Sequence, residues 1–219
     1  MNNQYKIAVN DFALRTTVNV LTNDFASGSN KKTFKDCVFV QESGVNEYHV
    51  SDSFQALLQD KTFKNVVEEI VDFGISRFKS EYSKTYENTG FVLYKKYTYE
   101  DVCRILNWSH NEVPLNIVGY KYDNETKTFP VFINYDKSEN ISATIKYEDH
   151  FISPNTLIAI SKSGRSVNSE DVQNFLHAKD RAIEVHLFVR KNKDDKISKE
   201  FYYLGTMEAS GKTNEFTMN

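Results

Sequence analysis

Cysteine is almost missing from this chain. Cys37 and Cys103 are the only two in 219 residues, and they lie far apart in sequence. That is too few for a disulfide framework or a zinc site built of cysteines. A positive excess is also missing. The formal net charge is −3, with 27 basic and 30 acidic residues. Residues 1–90 and 91–150 carry −2 each, and residues 151–219 carry +1. No global positive field is available to hold nucleic acid or an anionic membrane non-specifically, so any such contact must come from a local face. Long apolar runs are missing too: none approaches the roughly 20 residues of a membrane span. The amino terminus, MNNQYKIAVNDF, has no charged-then-apolar secretory pattern. There is no internal repeat and no low-complexity block. These absences lead to the expectation of a reduced, cytoplasmic protein without membrane partners.

Apolar residues and aromatics are well supplied, at 40% and 14% of the chain. The chain can therefore bury a real core, in one large domain or two small ones. Residues 5–50 read as short apolar pieces broken by polar segments. From Ser51 the pattern becomes helical. Ser51, Asp52 and Ser53 are cap candidates. Phe63, Val66, Val67, Ile70, Val71, Phe73 and Phe78 then follow at helical spacing, with Gly74 as a bend or helix end. The polar stretch EYSKTYENTG, residues 81–90, marks the internal boundary. We therefore expect a mixed, largely helical subdomain over 1–90 and a β-rich domain over 91–219.

In that second part FVLY reads as a strand, and Thr98 opens a short capped helix, TYEDVCRILNW. LNIVGYKYDNETKTFPVFINY reads as a β-hairpin around DNET. Ser169 opens another helix. AIEVHLFVRK and EFYYLGTME are two strands joined by a charged loop. The fold class that follows is α+β: an N-terminal mixed, helical region, then a curved, mostly antiparallel sheet or small β-barrel with short helices.

Several segments imitate active sites. Gly205 to Thr213 suggests a phosphate loop, but it has five residues between its glycines instead of four, and no helix follows. His177, Lys179 and Glu184 suggest half of a phospholipase-D-type nuclease motif. Its aspartate position holds glutamate, and the second copy is lacking. Glu148, Asp149 and His150 are adjacent, so on a strand they point to alternate faces and converge poorly on one metal. We expect no catalytic residue, no metal and no cofactor.

Residues 91–166 are different. They hold seven tyrosines, four phenylalanines and the only tryptophan, Trp108, interleaved with small polar and basic residues. The mixture suits a core, and equally a pocket for a flat polar ligand. Ser161-Lys162-Ser163-Gly164-Arg165 packs two hydroxyls, two cations and a glycine into five residues. This suits a phosphate contact as well as it suits an ordinary polar turn. Lys95, Lys96 and the loop at 190–196 are further cations able to flank it.

The words YKKYTYEDVCRILNW, LNIVGYKYD, FPVFINY, YEDHFISPNTLIAISKSGRS and HLFVRK…FYYLG, in this order, resemble a known family. It is the carboxy-terminal domain of unknown function of bacterial helicase–nucleases, which join a phospholipase-D-type nuclease and a superfamily 2 helicase motor. The group includes type IV, modification-dependent restriction enzymes. The resemblance spans about residues 50–207. It implies a non-catalytic target-recognition domain that reads 5-methylcytosine or 5-hydroxymethylcytosine in double-stranded DNA. An SRA- or PUA-like barrel would flip the base. Its implied partners are modified duplex DNA and the nuclease and helicase domains of the same polypeptide or complex, with a second copy of the chain as a further candidate. The base-binding residues would be Tyr120, Tyr122, Asp123, Phe132, Asn134 and Tyr135. Ser161, Lys162, Ser163 and Arg165 would take phosphates. A structural or dimerisation module of a helicase–nuclease is the competing expectation.

Overall fold

This structure, a computed structural model, describes residues 11–45, 47–112, 117, 119–136, 150–192 and 199–210. Side chains at 11–13, 135, 136, 150 and 192 lie outside the description. The chain forms two compact units. One comprises residues 1–90 and 103–113, the other residues 91–102 and 114–219.

In the first unit, α1 (Asp11–Leu21) and α2 (Gly28–Thr33) precede an antiparallel hairpin of β1 (Val40–Gly44) and β2 (Glu47–Val50). Two capped helices follow. Ser51 accepts from the Phe54 amide to open α3 (Asp52–Leu57), and Asp60 accepts from the Phe63 amide to open α4 (Lys61–Arg77). Each cap satisfies an amide that the helix itself cannot. Gly74 does not end α4, which runs on to Arg77 and into a π-helical turn at Phe78–Tyr82. The apolar stripe of α4 is largely open: Val66, Ile70, Val71 and Phe73 are exposed. Phe39, Phe54 and Phe63 meet edge to face at 4.8 and 6.1 Å. Trp108 is buried, and the Thr16 hydroxyl donates to Asn107 Oδ1 at 2.8 Å. A cavity of about 500 Å³ lies among Arg15, Val18, Asn19, Val38, Glu42 and Tyr48.

The second unit is built on a four-stranded mixed sheet, in the order β3 (Lys96–Tyr97), β8 (Phe201–Thr206), β7 (Glu184–Asn192), β4 (Thr128–Asp136). The fold is α+β, and the β7–β8 hairpin and both short helices form where the sequence puts them. Thr98 and Asp101 close a reciprocal cap at the start of α5 (Tyr99–Ile105). Ser169 caps α6 (Glu170–Leu176) by position, its hydroxyl accepting from the Ser166 amide.

Three local expectations change. FVLY is not a strand; it is a turn, and only Lys96–Tyr97 pairs with β8. The longest ladder is parallel, joining β4 to β7 from Thr128↔Glu184 to Asp136↔Asn192. The connection between them carries the hairpin of β5 (His150–Ser153) and β6 (Thr156–Ile158), then α6. The expected hairpin before β4 is reduced to two isolated bridges, Tyr120↔Val131 and Asp123↔Thr128. Pro130 explains this. Phe132 N–H donates outward to Gly119 O. Pro130, two residues earlier, faces the same way and has no N–H to give, so the ladder breaks there.

Alternation along β4 and β7 produces two apolar layers. Phe129, Val131, Ile133, Val185 and Leu187 form one, with Ala178 and Ile183 packed in and Phe151, Leu157 and Phe175 against its margin. The other is aromatic. Phe132 stacks on Phe188 at 5.1 Å, and Phe91 meets Tyr97, His186, Phe188 and Tyr203 at 4.9–5.4 Å.

His186 sits fully buried in that aromatic layer. Its Nδ1 lies 3.3 Å from the Tyr203 hydroxyl; its Nε2 has no hydrogen bond, and Glu184 Oε1 at 3.6 Å is too far to supply one. Burial lowers its pKa to about 4. The folded value lies below the unfolded one, so stability is full above pH 6.5 and falls as pH drops toward 4. We predict a loss of about 3 kcal/mol across that window from this group. Comparing urea melts of the wild type and His186→Phe at several pH values checks it: the gap between them must change with pH. A second test concerns Gly90, at φ +80°, where an added Cβ would meet Ile105 Cγ2 at 2.8 Å. Gly90→Ala is predicted to cost about 2 kcal/mol or more in a denaturant melt.

Candidate nucleic-acid interface

The site centres on Tyr120. Its ring lies nearly parallel to Phe129 at 5.4 Å, which fixes one of its faces. The Tyr120 hydroxyl accepts the Lys162 amide at 3.3 Å, and the Lys162 ammonium stands 4.5 Å from the ring centre. A residue from the segment before β4 and one from the turn before α6 are thus joined across 42 positions of sequence. The turn is made by Gly164, at φ +74°, and by the bond from Arg165 N–H to Lys162 O. Arg165 Nε donates to Asp171 Oδ2 at 2.8 Å, tying the turn to the first turn of α6.

The electrostatics follow from this packing. Burial raises the Tyr120 pKa above the usual 10; the Lys162 amide opposes that, and the Asp171 carboxylate adds to it. Burial lowers the Lys162 pKa, with Asp171 working against the shift. Arg165 is held more firmly cationic by its bond to Asp171. Lys162 is therefore a partly buried cation held beside a ring.

The sequence-nominated residues divide sharply. Tyr120, Tyr122, Lys162 and Arg165 are brought together on the Phe129 side of the sheet. Tyr122 stacks on Phe129 at 6.1 Å, as alternation with Tyr120 requires, and Lys127 Nζ lies 5.9 Å over its ring. Ser161 and Ser163 are exposed on the same turn. Asp123 does not face a ligand: its carboxylate accepts from the Thr126 amide and hydroxyl, both at 2.8 Å, and closes the turn before β4. Phe132 is buried in the aromatic layer, with no face open to a base. Asn134 Oδ1 accepts from Arg190 Nε at 2.6 Å, and that guanidinium covers Phe201 at 4.4 Å. Tyr135 belongs to β4 by its backbone, and its side chain lies outside the described residues. The sequence reading missed Phe129, the floor beneath both tyrosines, and Asp171, the clamp on Arg165. Asp171 had a readable signal, an acid in the first turn of a helix right after SKSGR.

The imitations resolve differently. Lys179 pairs with Glu208 at 3.7 Å and His177 with Asp180 at 3.7 Å. Gly205 lies within β8, and residues 211–213 lie outside the described residues, as do 147–149. Among the described residues no group of three or more His, Cys, Asp and Glu side chains is placed to hold a metal ion, and no helix is long and apolar enough to cross a membrane.

The second unit is an α+β domain with tyrosines and lysines clustered on one sheet face. By sequence the chain belongs to the family of the domain of unknown function DUF3427, which matches residues 91–219. Residues 1–84 match a second domain of unknown function, DUF8090. No curated protein matches the chain.

The Tyr120–Asp171 linkage is testable in the free protein. Tyr120 should ionise above pH 10 in an ultraviolet titration read against Tyr120→Phe. Asp171→Asn should move that ionisation down, but not all the way, because burial remains.

Proposed function

We propose that this chain is a non-catalytic target-recognition domain that binds double-stranded DNA and reads 5-methylcytosine or 5-hydroxymethylcytosine, probing the base by flipping. It would serve a modification-dependent (type IV) restriction system of the SauUSI kind, with nuclease and helicase domains supplied in the same polypeptide or complex. The resemblance of residues 50–207 to such proteins supports this reading, and one observation carries it: the half-buried Tyr120 ring, backed by Phe129, with the Lys162 ammonium 4.5 Å from its centre beside an exposed SKSGR turn.

The arrangement suggests an exchange. A cation resting on a ring contributes about 0.5–1 kcal/mol at an exposed site and about 2 kcal/mol or more when desolvated. A base stacked on a ring contributes roughly 1–3 kcal/mol. A flipped base that displaces Lys162 from Tyr120 therefore gains about as much as it removes, and a phosphate that receives the ammonium tips the balance. The ammonium is already partly desolvated, so that move favours it. Ser161 and Ser163 add donors to the same phosphate strand. Leu157 and Phe175, packed near Phe129, are the apolar groups suited to a 5-methyl substituent. Phe132, Asn134 and Asp123 take no part in this revised site.

A second reading has its own observation. The open stripe of Val66, Ile70, Val71 and Phe73 on α4 suits a structural or dimerisation module without DNA specificity.

Binding of the whole chain to matched duplexes, with and without 5-methylcytosine, separates the two. The reader role predicts tighter binding of the modified duplex. Tyr120→Leu should remove at least fivefold of that preference. Lys162→Gln should weaken both duplexes alike and flatten the salt dependence by about 0.9 in log–log slope. Equal affinity for both duplexes would remove the reader role, and self-association without DNA affinity would favour the module.

A further inference from the structure

Helix α4 (Lys61–Arg77) has 17 residues and buries none of them. Only Phe63, Val67 and Ile75 are partly covered. Its composition does not favour a free-standing helix. Val66, Val67, Ile70, Val71 and Ile75 are β-branched, and Gly74 sits among them. Each lowers helix propensity. A helix of this length draws most of its stability from packing an apolar face, and here that face is open.

The open residues are ordered. Val66, Ile70 and Phe73 are 47%, 64% and 67% exposed. They stand at i, i+4 and i+7, within a sector of about 60° on the helix. That is the d–a–d spacing of a helix pair, and Arg77 takes the next a position. Gly74 borders the same stripe. A Cβ added there would meet nothing within 4 Å among the described residues, so no contact inside the chain calls for the glycine. On an open apolar face it is a notch that admits a close approach.

The charges fit a second copy and select its direction. In a parallel pair of α4 helices each Arg77 would face its own counterpart in the seam. Antiparallel pairing separates them. With Ile70 level with Phe73 of a second copy, Arg77 comes level with Val66 of that copy, three residues from its Glu69. Two-fold symmetry makes that contact twice. Within its own chain Arg77 Nε stands 3.8 Å from Glu81, and its Nη2 donates to the Tyr82 hydroxyl at 3.3 Å. Further N–H groups of its five remain for a carboxylate. Lys61, Lys64, Glu68 and Asp72 lie on the far side of the helix, where Lys64 and Glu68 pair at 3.9 Å.

The area sets the strength. A phenylalanine buries roughly 150–250 Å². Scaled by exposure, and with the stems of Glu69 and Arg77, the stripe offers on the order of 500 Å² per copy. Two copies bury about 1,000 Å², the lower limit of a specific interface. The pair is of the weak, reversible kind.

We infer that two copies of this chain pair through α4, antiparallel, with Ile70 of each meeting Phe73 and Gly74 of the other and Glu69 of each meeting Arg77. The inference names the partner of the α4 stripe. It uses no residue of the Tyr120 site, so it stands or falls apart from the DNA reading.

Sedimentation velocity of the full chain without DNA tests it. Wild type should pass from monomer to dimer in the micromolar range, with helicity by circular dichroism rising over the same concentrations. Ile70→Glu, which would place a charge in the seam, should weaken pairing at least about tenfold. Trp108, buried in the same unit, should keep its emission in that variant, showing that the unit stays folded. Asn65→Glu, which adds the same charge on the far side, should pair as wild type does. Glu69→Lys and Arg77→Glu should each weaken pairing, and the two together should restore it. A wild type that stays monomeric, or equal behaviour of Ile70→Glu and Asn65→Glu, would overturn the pairing. Failure of the double reversal to restore it would overturn the antiparallel register.

Discussion

The parallel pairing of β4 with β7 organises the second unit. It runs in unbroken register from Thr128↔Glu184 to Asp136↔Asn192. In such a ladder, partners side by side point to the same face, so Phe129 joins Val185, Ile133 joins Val189, and Phe132 joins Phe188. A slip of one residue in β4 would put Phe132 where Val131 or Ile133 now lies, and a slip of one in β7 would put His186 where Val185 or Leu187 now lies. Both layers are buried, so a slip in β4 would take Phe132 out of the aromatic layer, and a slip in β7 would strand polar His186 in the aliphatic one. The register is thus strongly specified, and everything placed on either face inherits that certainty.

The candidate interface is one such inheritance. Phe129 is a layer residue first, and its ring becomes the floor on which Tyr120 and Tyr122 rest. Pro130 beside it interrupts pairing with the preceding segment, so that segment touches β4 at only two bridges. A complete hairpin would hold Tyr120 and Tyr122 in a regular strand. The interrupted one leaves Tyr120 able to meet the turn at Lys162 through its hydroxyl and its ring. Asp171 holds that turn through Arg165, and the sheet, the break and the clamp together set the geometry. Lys127 and Lys162 then lie over rings, while Arg165 is held in its ion pair with Asp171.

Much of the architecture could be read from residue order because its signals are local. Ser51 and Thr98 cap helices where their side chains reach the third amide onward. The β7–β8 hairpin follows from two alternating runs around a charged loop. The β4–β7 pairing could not be read that way, since its strands are separated by a hairpin and a helix, and periodicity says nothing of the partner. FVLY looked like a strand because its apolar content is high; two backbone bonds to Tyr203 make it a turn instead. At the site, alternation correctly put Tyr120 and Tyr122 together and linked Phe132 with Asn134. It could not tell which pair faced the aromatic layer. That depended on β7, where Phe188 and Arg190 wait for Phe132 and Asn134. The asparagine–arginine bond and the Asp123 turn each consume a polar group that a sequence reader would assign to a ligand.

The central claim is that this domain meets DNA on the Phe129 face, through Tyr120 and the SKSGR turn, and not through its aromatic layer. Chemical-shift mapping of the isotope-labelled chain during titration with a modified duplex tests it most directly. The account predicts that the Lys162 amide and the Tyr120 ring signals move first and furthest, while Phe132, Phe188 and His186 hold their shifts. Movement concentrated at Phe132 and His186 with the Lys162 amide unmoved, or no movement in this unit at all, would contradict it.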